Sequence, residues 1–420
     1  AAGCAAGNAY LPIPFGAWIG VIVCVGCVVL TRSVPYWVTV VCLTLLWFFA
    51  TPKGQSLPDT MIVETHPDIV VITIDTVRED AISQSTNRLI PNLTPNLDLL
   101  AQSGCWTNDA SATSPLTGPS HAAMFSGVHP IELSLFRNGG NLPSDIPWLP
   151  ENLHQLGYQT AAFVSSAMLE GDLGYRRGFD VYDDDQSGIA ARLSTTLAPL
   201  FPPPRVTKND AFSRFGRKTV ERMKLWLNGT DPDRPIFVWL HLYDAHQPYV
   251  ATAESQQFVA EYELQLPDPQ SFVQWTEPEF KPKEPTTAQK LFASLQPPTL
   301  PKLKADTSMG MSKRYLANVR DLDEIVGLAW NTLDHHRPSQ SRVWAILADH
   351  GESLTEHGEF GSHQHNVYEA NIRVPYILSG SECPTGPVST VSLPAELLKR
   401  AQISKPWPVH KTVEAVVSAG

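Results

Sequence analysis

The chain has 420 residues, enough to bury a sizeable core as one large domain or two smaller ones, and its composition is globular with 36 prolines. Its formal net charge is −11, and all 42 acidic residues lie beyond position 53 together with 29 of the 31 basic ones. Such an acidic body excludes nucleic acid as a partner, because affinity there rests on cation–phosphate contacts.

The chain opens with apolar sequence. Leu11–Leu30 and Val34–Ala50 are two charge-free apolar runs, separated by Thr31-Arg32-Ser33. A helix needs about 20 residues to cross the hydrocarbon core. Residues 1–53 are therefore expected to form a membrane anchor of two transmembrane helices, rather than a signal peptide, since the run is long and lacks a basic start. With Arg32 marking the inner side, the rest of the chain is extracytoplasmic. Residues 54–66 read as a linker, and 67–420 as the catalytic domain.

Ile69–Ile74 is a short β-branched run of the kind found in strands covered on both faces. A helical pattern follows at Asn96–Ser103, with others at Ala122–Ser126, Trp148–Leu156 and Phe212–Leu227. Two further strand-like runs are Ile236–Leu240 and Val343–Ala348. This alternation predicts an α/β fold with a mostly parallel central sheet and helices on both faces. Residues from about 251 to 307 are rich in Pro, Gln, Glu and Lys and too long for an ordinary connection. They read as an irregular insertion, a lid or a surface excursion, with the lid favoured because it follows the His241–Tyr249 segment. Cys4, Cys24, Cys27 and Cys42 lie in or beside the apolar runs. Cys105 and Cys383 are left for a disulfide outside the cytoplasm, although spacing alone does not show that they meet.

Each of the three strands ends in groups that bind metal or move protons. Asp75 follows the first; His241, Asp244 and His246 belong to the second; Asp349 and His350 follow the third. Ligand sites of open α/β sheets lie at the carboxyl ends of strands. A fourth segment, Ser114–His121, leads into a helix. Pro119 suits the first helical position, so Thr117 falls just before the helix start, where free N–H groups and the dipole attract anions. The plain alternative is that Thr117 is only an N-cap. A threonine hydroxyl becomes a nucleophile on losing its proton, which a divalent cation promotes while polarising the ester oxygen. Asp75, Asp349 and His350 are hard-to-borderline ligands suited to such an ion.

These segments resemble the sulfatase branch of the alkaline phosphatase superfamily. The motifs are Ile72–Asp80, Thr94–Asp98, Thr117-Gly118-Pro119-Ser120-His121-Ala122, Trp239–Tyr249, Ala348–Leu354, Glu356-His357-Gly358 and Tyr368–Pro375, in order between about Pro67 and about Ile403. The resemblance implies Asp75, Asp349 and His350 as metal ligands, and Thr117 as nucleophile and further ligand. It implies His246 as the group assisting the leaving alcohol, and His121, His363 and Arg137 as substrate contacts. One divalent ion is expected, Mg²⁺, Ca²⁺, Mn²⁺ or Zn²⁺; a second metal at Asp244, His246 and His363 is the alternative. Two departures stand out. Thr117 occupies the place of the cysteine that sulfatases convert to formylglycine, and Thr76 that of a second aspartate. Threonine nucleophiles occur in the superfamily's phosphodiesterases and membrane-bound phosphoethanolamine transferases. The resulting expectation is a membrane-anchored, metal-dependent hydrolase or transferase of phosphate or sulfate esters, acting on a lipid- or glycan-linked substrate. A sulfatase proper and a non-catalytic binding relative are the alternatives. No motif speaks to oligomeric state.

Overall fold

Strand β1 (Asp68–Ile74) is buried along its whole length, as a β-branched run covered on both faces must be. The computed structural model of the chain describes residues 66–185, 213–264, 307–338, 340–354, 356, 361, 363, 366–404 and 407. After β1 come helix α1 (Pro95–Ser103), β2 (Gly104–Thr107), β3 (Ala110–Ser111), α2 (Thr117–Ser126), α3 (Leu149–Gln155), β4 (Gln159–Val164), β5 (Val181–Asp183) and α4 (Gly216–Leu227). Then follow β6 (Ile236–Leu242), α5 (Ala253–Ala260), α6 (Thr307–His336), β7 (Arg342–Ala348), β8 (Tyr376–Ser379), β9 (Val388–Ser389) and α7 (Leu393–Arg400).

Seven strands form one sheet in the order β2-β8-β7-β1-β6-β4-β5. The stretch from β7 to β5 is parallel, and β8 runs antiparallel between β7 and β2. Helices α1, α4 and α5 pack on α6, while α2 packs with α3 and α7. These two groups account for burial on both faces of β1, β6 and β7, so the expected α/β arrangement holds. Trp239, Phe237, Phe163 and Trp148 fill the centre of the core.

Observed boundaries fall within a residue or two of those expected for the three central strands. Helix α4 begins later than its pattern suggests, at Gly216, for a specific reason. Both carboxylate oxygens of Asp244 accept the Gly216 N–H, at 3.0 and 2.9 Å, and so cap the helix there. A Cβ at position 216 would lie 2.4 Å from Asp244 Oδ2, which leaves room only for glycine.

The expected insertion starts differently from its reading as irregular chain. Residues 253–260 form α5, capped by Thr252 Oγ1 accepting the Ser255 N–H. Asp321 of α6 accepts from Thr252 N, Thr252 Oγ1 and Ser255 Oγ at 2.6, 2.7 and 2.5 Å. Low local hydropathy hid an element that is anchored by polar bonds. The remainder of that insertion, residues 265–306, lies outside the described residues, and so do both apolar runs at 1–53. Among the described residues, no helix is long and apolar enough to cross a membrane. Cys105 and Cys383 do meet, as a disulfide with Cα atoms 5.3 Å apart, joining β2 to the chain beyond β8.

Candidate active site

The parallel register places Ile74 opposite both Leu242 and Ala348, so the residues after β1 and β7 emerge side by side at one edge. Asp75 and Asp349 are those residues, and both are fully buried. His350 turns its Nε2 towards them, 3.8 Å from Asp75 Oδ1 and 3.5 Å from Asp349 Oδ2. The chain can pass from His350 to Glu352 only through a glycine, since a Cβ at Gly351 would sit 2.1 Å from the Ala370 carbonyl oxygen. Asp349 Oδ1 accepts the N–H groups of Thr76 and His350 at 3.3 and 2.9 Å. Asp349 Oδ2 and both oxygens of Asp75 have no hydrogen-bond partner. Thr76 itself has a φ of 57°, a left-handed conformation that costs a β-branched residue on the order of 1–3 kcal/mol. The Asp349 bond and a 2.9 Å bond from the Tyr315 hydroxyl to the Thr76 carbonyl hold it there.

Thr117 is the first residue of α2 rather than the residue before it, and Pro119 is the third; Leu116 is the N-cap and offers no side-chain bond. Proline is tolerated anywhere in this first turn because the N–H it lacks has no intrahelical acceptor. Capping comes instead from afar. Asn138 Oδ1 accepts the Gly118 N–H at 2.8 Å, and the Tyr175 hydroxyl donates to the Gly118 carbonyl at 2.8 Å. Ser120 Oγ donates to the Asp349 carbonyl at 2.7 Å, tying the helix to the end of β7. Thr117 Oγ1 then lies 3.4 Å from His350 Nε2.

His121 is placed inside the wall of the site, fully buried against Trp239. Its Nδ1 faces the Thr117 carbonyl at 2.8 Å, so Nδ1 carries the proton, and its Nε2 accepts from Thr73 Oγ1 at 3.0 Å. Thr73 in turn accepts the indole N–H of Trp239 at 2.9 Å. This one-way chain of donors fixes the Thr117 backbone from behind. Burial lowers the His121 pKa to about 3, so the ring is neutral. Arg137, expected to face substrate, is exposed in the same turn that contributes Asn138.

His246 and His363 flank the cluster. The His363 ring stacks on His350 at 4.5 Å and meets His246 edge-on at 5.1 Å. Each has its Nδ1 occupied, His246 by the Gln247 carbonyl at 2.8 Å and His363 by Glu352 Oε1 at 3.0 Å. Tyr249 donates its hydroxyl to Glu352 Oε2 at 3.2 Å. Glu352 is fully buried, and that burial lifts its pKa to about 7. Asp244 does not join this group. Its carboxylate is spent on Gly216, and among the described residues the ligand atoms of Asp244, His246 and His363 form no convergent set. The alternative of a second metal at these three residues therefore finds no site here.

Two sets of ligand atoms do converge within 4.8 Å: Asp75, Asp349 and His350, and His121, His241 and Asp349. Burial raises the pKa of Asp75, and it lifts that of Asp349 to about 7 with help from the neighbouring Asp75. Burial also lowers His350 and His241 to about 4 each. Carboxylates that need a countercharge thus stand beside neutral imidazoles with lone pairs. A divalent cation satisfies both, and the unpartnered oxygens of Asp75 and Asp349 fit that role. The sequence named His241 only among the strand-end groups able to bind metal or move protons, and gave no role to Glu352, Asn138 or Tyr175. Glu352 was reachable, two residues beyond His350; Asn138 and Tyr175 act across 20 and 57 residues with no local pattern.

A buried carboxylate–imidazole cluster at the strand ends of a mostly parallel sheet is suited to hold a divalent metal ion. The chain belongs to the sulfatase family, whose sequence profile matches residues 67–402. By family it is an ester hydrolase of the sulfatase type. A sulfatase from Formosa agariphila is 22% identical over 370 residues, covering 79% of this chain and 67% of that protein. Across the curated relatives, the matched stretch spans 56–69% of their own lengths. A structure solved with its substrate D-glucosamine-2-N,6-O-disulfate superposes with a TM-score of 0.61 at 18% identity, over 84% of this chain and 82% of that one. The phosphonate monoester hydrolase of Agrobacterium radiobacter superposes with a TM-score of 0.58 at 15% identity, over 80% and 74%. At these identities the superpositions speak for the fold.

Proposed function

We propose that the chain is a membrane-anchored, metal-dependent hydrolase or transferase of phosphate or sulfate esters, with phosphoesters favoured, and that Thr117 is its nucleophile. The observation that carries this reading is the Thr117 hydroxyl, 3.4 Å from His350 Nε2 on the first turn of α2, beside two buried carboxylates with unpartnered oxygens. A divalent cation bound by Asp75, Thr117, Asp349 and His350 would lower the hydroxyl's pKa and polarise the ester.

Thr117 Oγ, having lost its proton to solvent, attacks phosphorus as the alkoxide, forming the Oγ–P bond as the bond to the leaving oxygen breaks. That oxygen takes a proton from Nε2 of His246, whose Nδ1 is held by the Gln247 carbonyl. Burial, with the neighbouring His363, lowers the pKa of His246, and the anionic substrate opposes that effect by favouring the protonated ring. Water or an acceptor alcohol then attacks phosphorus, the P–Oγ bond breaks, and the incoming proton passes to His246. The N-terminus of α2 stabilises charge on the equatorial oxygens. His363, next to His246 and His350, contacts the substrate, and exposed Arg137 reaches its outer part. A sulfate ester is the second reading, supported by the sulfatases among the relatives.

The apolar runs in residues 1–53 anchor the protein. The Cys105–Cys383 disulfide supports an extracytoplasmic catalytic domain, since such bonds persist in oxidising compartments. The substrate is then lipid- or glycan-linked. Turnover should be measured on matched phosphodiester, phosphomonoester and sulfate esters with Mg²⁺, Ca²⁺, Mn²⁺ and Zn²⁺ in turn. Thr117→Ala is expected to lower kcat by at least about 10³-fold while metal affinity stays within a few fold. Turnover near the parent level in that variant would remove Thr117 as nucleophile.

A further inference from the structure

We propose that His241 is an additional protein ligand of the divalent cation, joining Asp75, Asp349 and His350 in one shell. The inference rests on the metal-dependent reading above and deepens it. His241 is fully buried on β6, and neither ring nitrogen has a hydrogen-bond partner. An unsatisfied buried polar atom costs about 1–3 kcal/mol, so two on one ring call for a partner of another kind.

The sheet explains where that partner sits. His241 is in register with Thr73 on the neighbouring parallel strand, so both side chains leave the same face, the one covered by α2. Asp75 lies two residues beyond Thr73 and points the same way. His241 Nε2 accordingly lies 3.4 Å from Asp75 Oδ2. The two convergent sets share Asp349. Within the second set, His121 is already spent, because both of its nitrogens are hydrogen-bonded to Thr117 O and Thr73 Oγ1. That leaves His241 as the member with donor capacity, and the two sets merge into one shell of two carboxylates and two imidazoles beside the Thr117 hydroxyl. Two imidazole nitrogens favour a borderline ion such as Zn²⁺ over Ca²⁺, Mg²⁺ and Mn²⁺.

The competing role for His241 is a hydrogen bond to Asp75 that orients the carboxylate without touching the ion. Pulsed EPR of the full chain loaded with Mn²⁺ separates the two, because it counts directly coordinated nitrogens without any substrate. Two imidazole couplings are expected in the parent, and one each in His241→Ala and His350→Ala. Zn²⁺ affinity from chelator competition is expected to fall at least about 10-fold in His241→Ala. His241→Gln serves if the alanine variant does not fold, and melting of the metal-free proteins reports on that directly. A single coupling in the parent that persists without His241 overturns the inference and leaves the ester-cleaving reading intact. Failure of the parent to bind any divalent cation overturns both.

Discussion

Thr117 owes its position to residues that share no sequence pattern with it. Its backbone is held by His121, whose ring is set by Thr73 and Trp239, and the next peptide is held by Asn138 and Tyr175. Asp75, Asp349 and His350 were legible because each sits at the end of a strand that announces itself by an apolar β-branched run. The direction in which His121 faces was not legible, because it depends on packing against Trp239 from another strand. Glu352 shows the same limit. It joins Tyr249 to His363 and sets which nitrogen of His363 faces the site. Glutamine at position 352 can accept only one of those two bonds and turns an amide N–H₂ towards the other. Glu352→Gln is therefore expected to lower kcat about 10–100-fold with little change in KM or melting temperature. An unchanged kcat would show that the orientation of His363 does not matter to turnover.

Two helix starts in this fold are capped by carboxylates from other elements. Asp244 caps α4, and Asp323 of α6 caps α1 by accepting from Asn96 N, Asn96 Nδ2 and Leu97 N at 3.0, 2.8 and 2.8 Å. Burial nevertheless lifts the Asp323 pKa from 3.8 to about 6. The folded state thus holds this proton more tightly than the unfolded chain. The resulting stability is full below about pH 4 and is lost as pH rises through about 6, an effect on the order of 3 kcal/mol. Denaturant titrations from pH 4 to 7 should show a shallower fall in stability for Asp323→Asn than for the parent, the remaining slope coming from other buried carboxyls such as Asp244, Asp349 and Glu352. Matching slopes would mean the carboxyl keeps its ordinary pKa in the fold. Strands β1, β6 and β7 were visible from sequence, whereas β4, with Ala161-Ala162 at its centre, and the short strands β2, β5 and β8 were not. Few β-branched residues and few turns of pattern leave such strands to be settled by their neighbours.

The body as a whole is clasped at the edge of its sheet, where Cys105 and Cys383 close a separation of 278 residues. Chain-entropy reasoning assigns a loop of that size on the order of 5 kcal/mol. A Cys105→Ser/Cys383→Ser variant should melt well below the parent yet keep its kcat at low temperature, because β8 separates β2 from the strand that carries Asp349. Equal melting temperatures would count against a structural role for the clasp. The parallel trio β7-β1-β6 has a further consequence, for the order of events during folding. Its three strands are contributed by distant parts of the chain, with Thr76 bonded to Asp349 across 273 positions. Pairings this remote form late, after the long intervening loops have closed. No partly folded fragment, and no nascent chain still lacking β7, can then own the binding site. Co²⁺ absorption during refolding should return with the time constant of near-ultraviolet circular dichroism. An earlier return would reveal a metal-nucleated route instead.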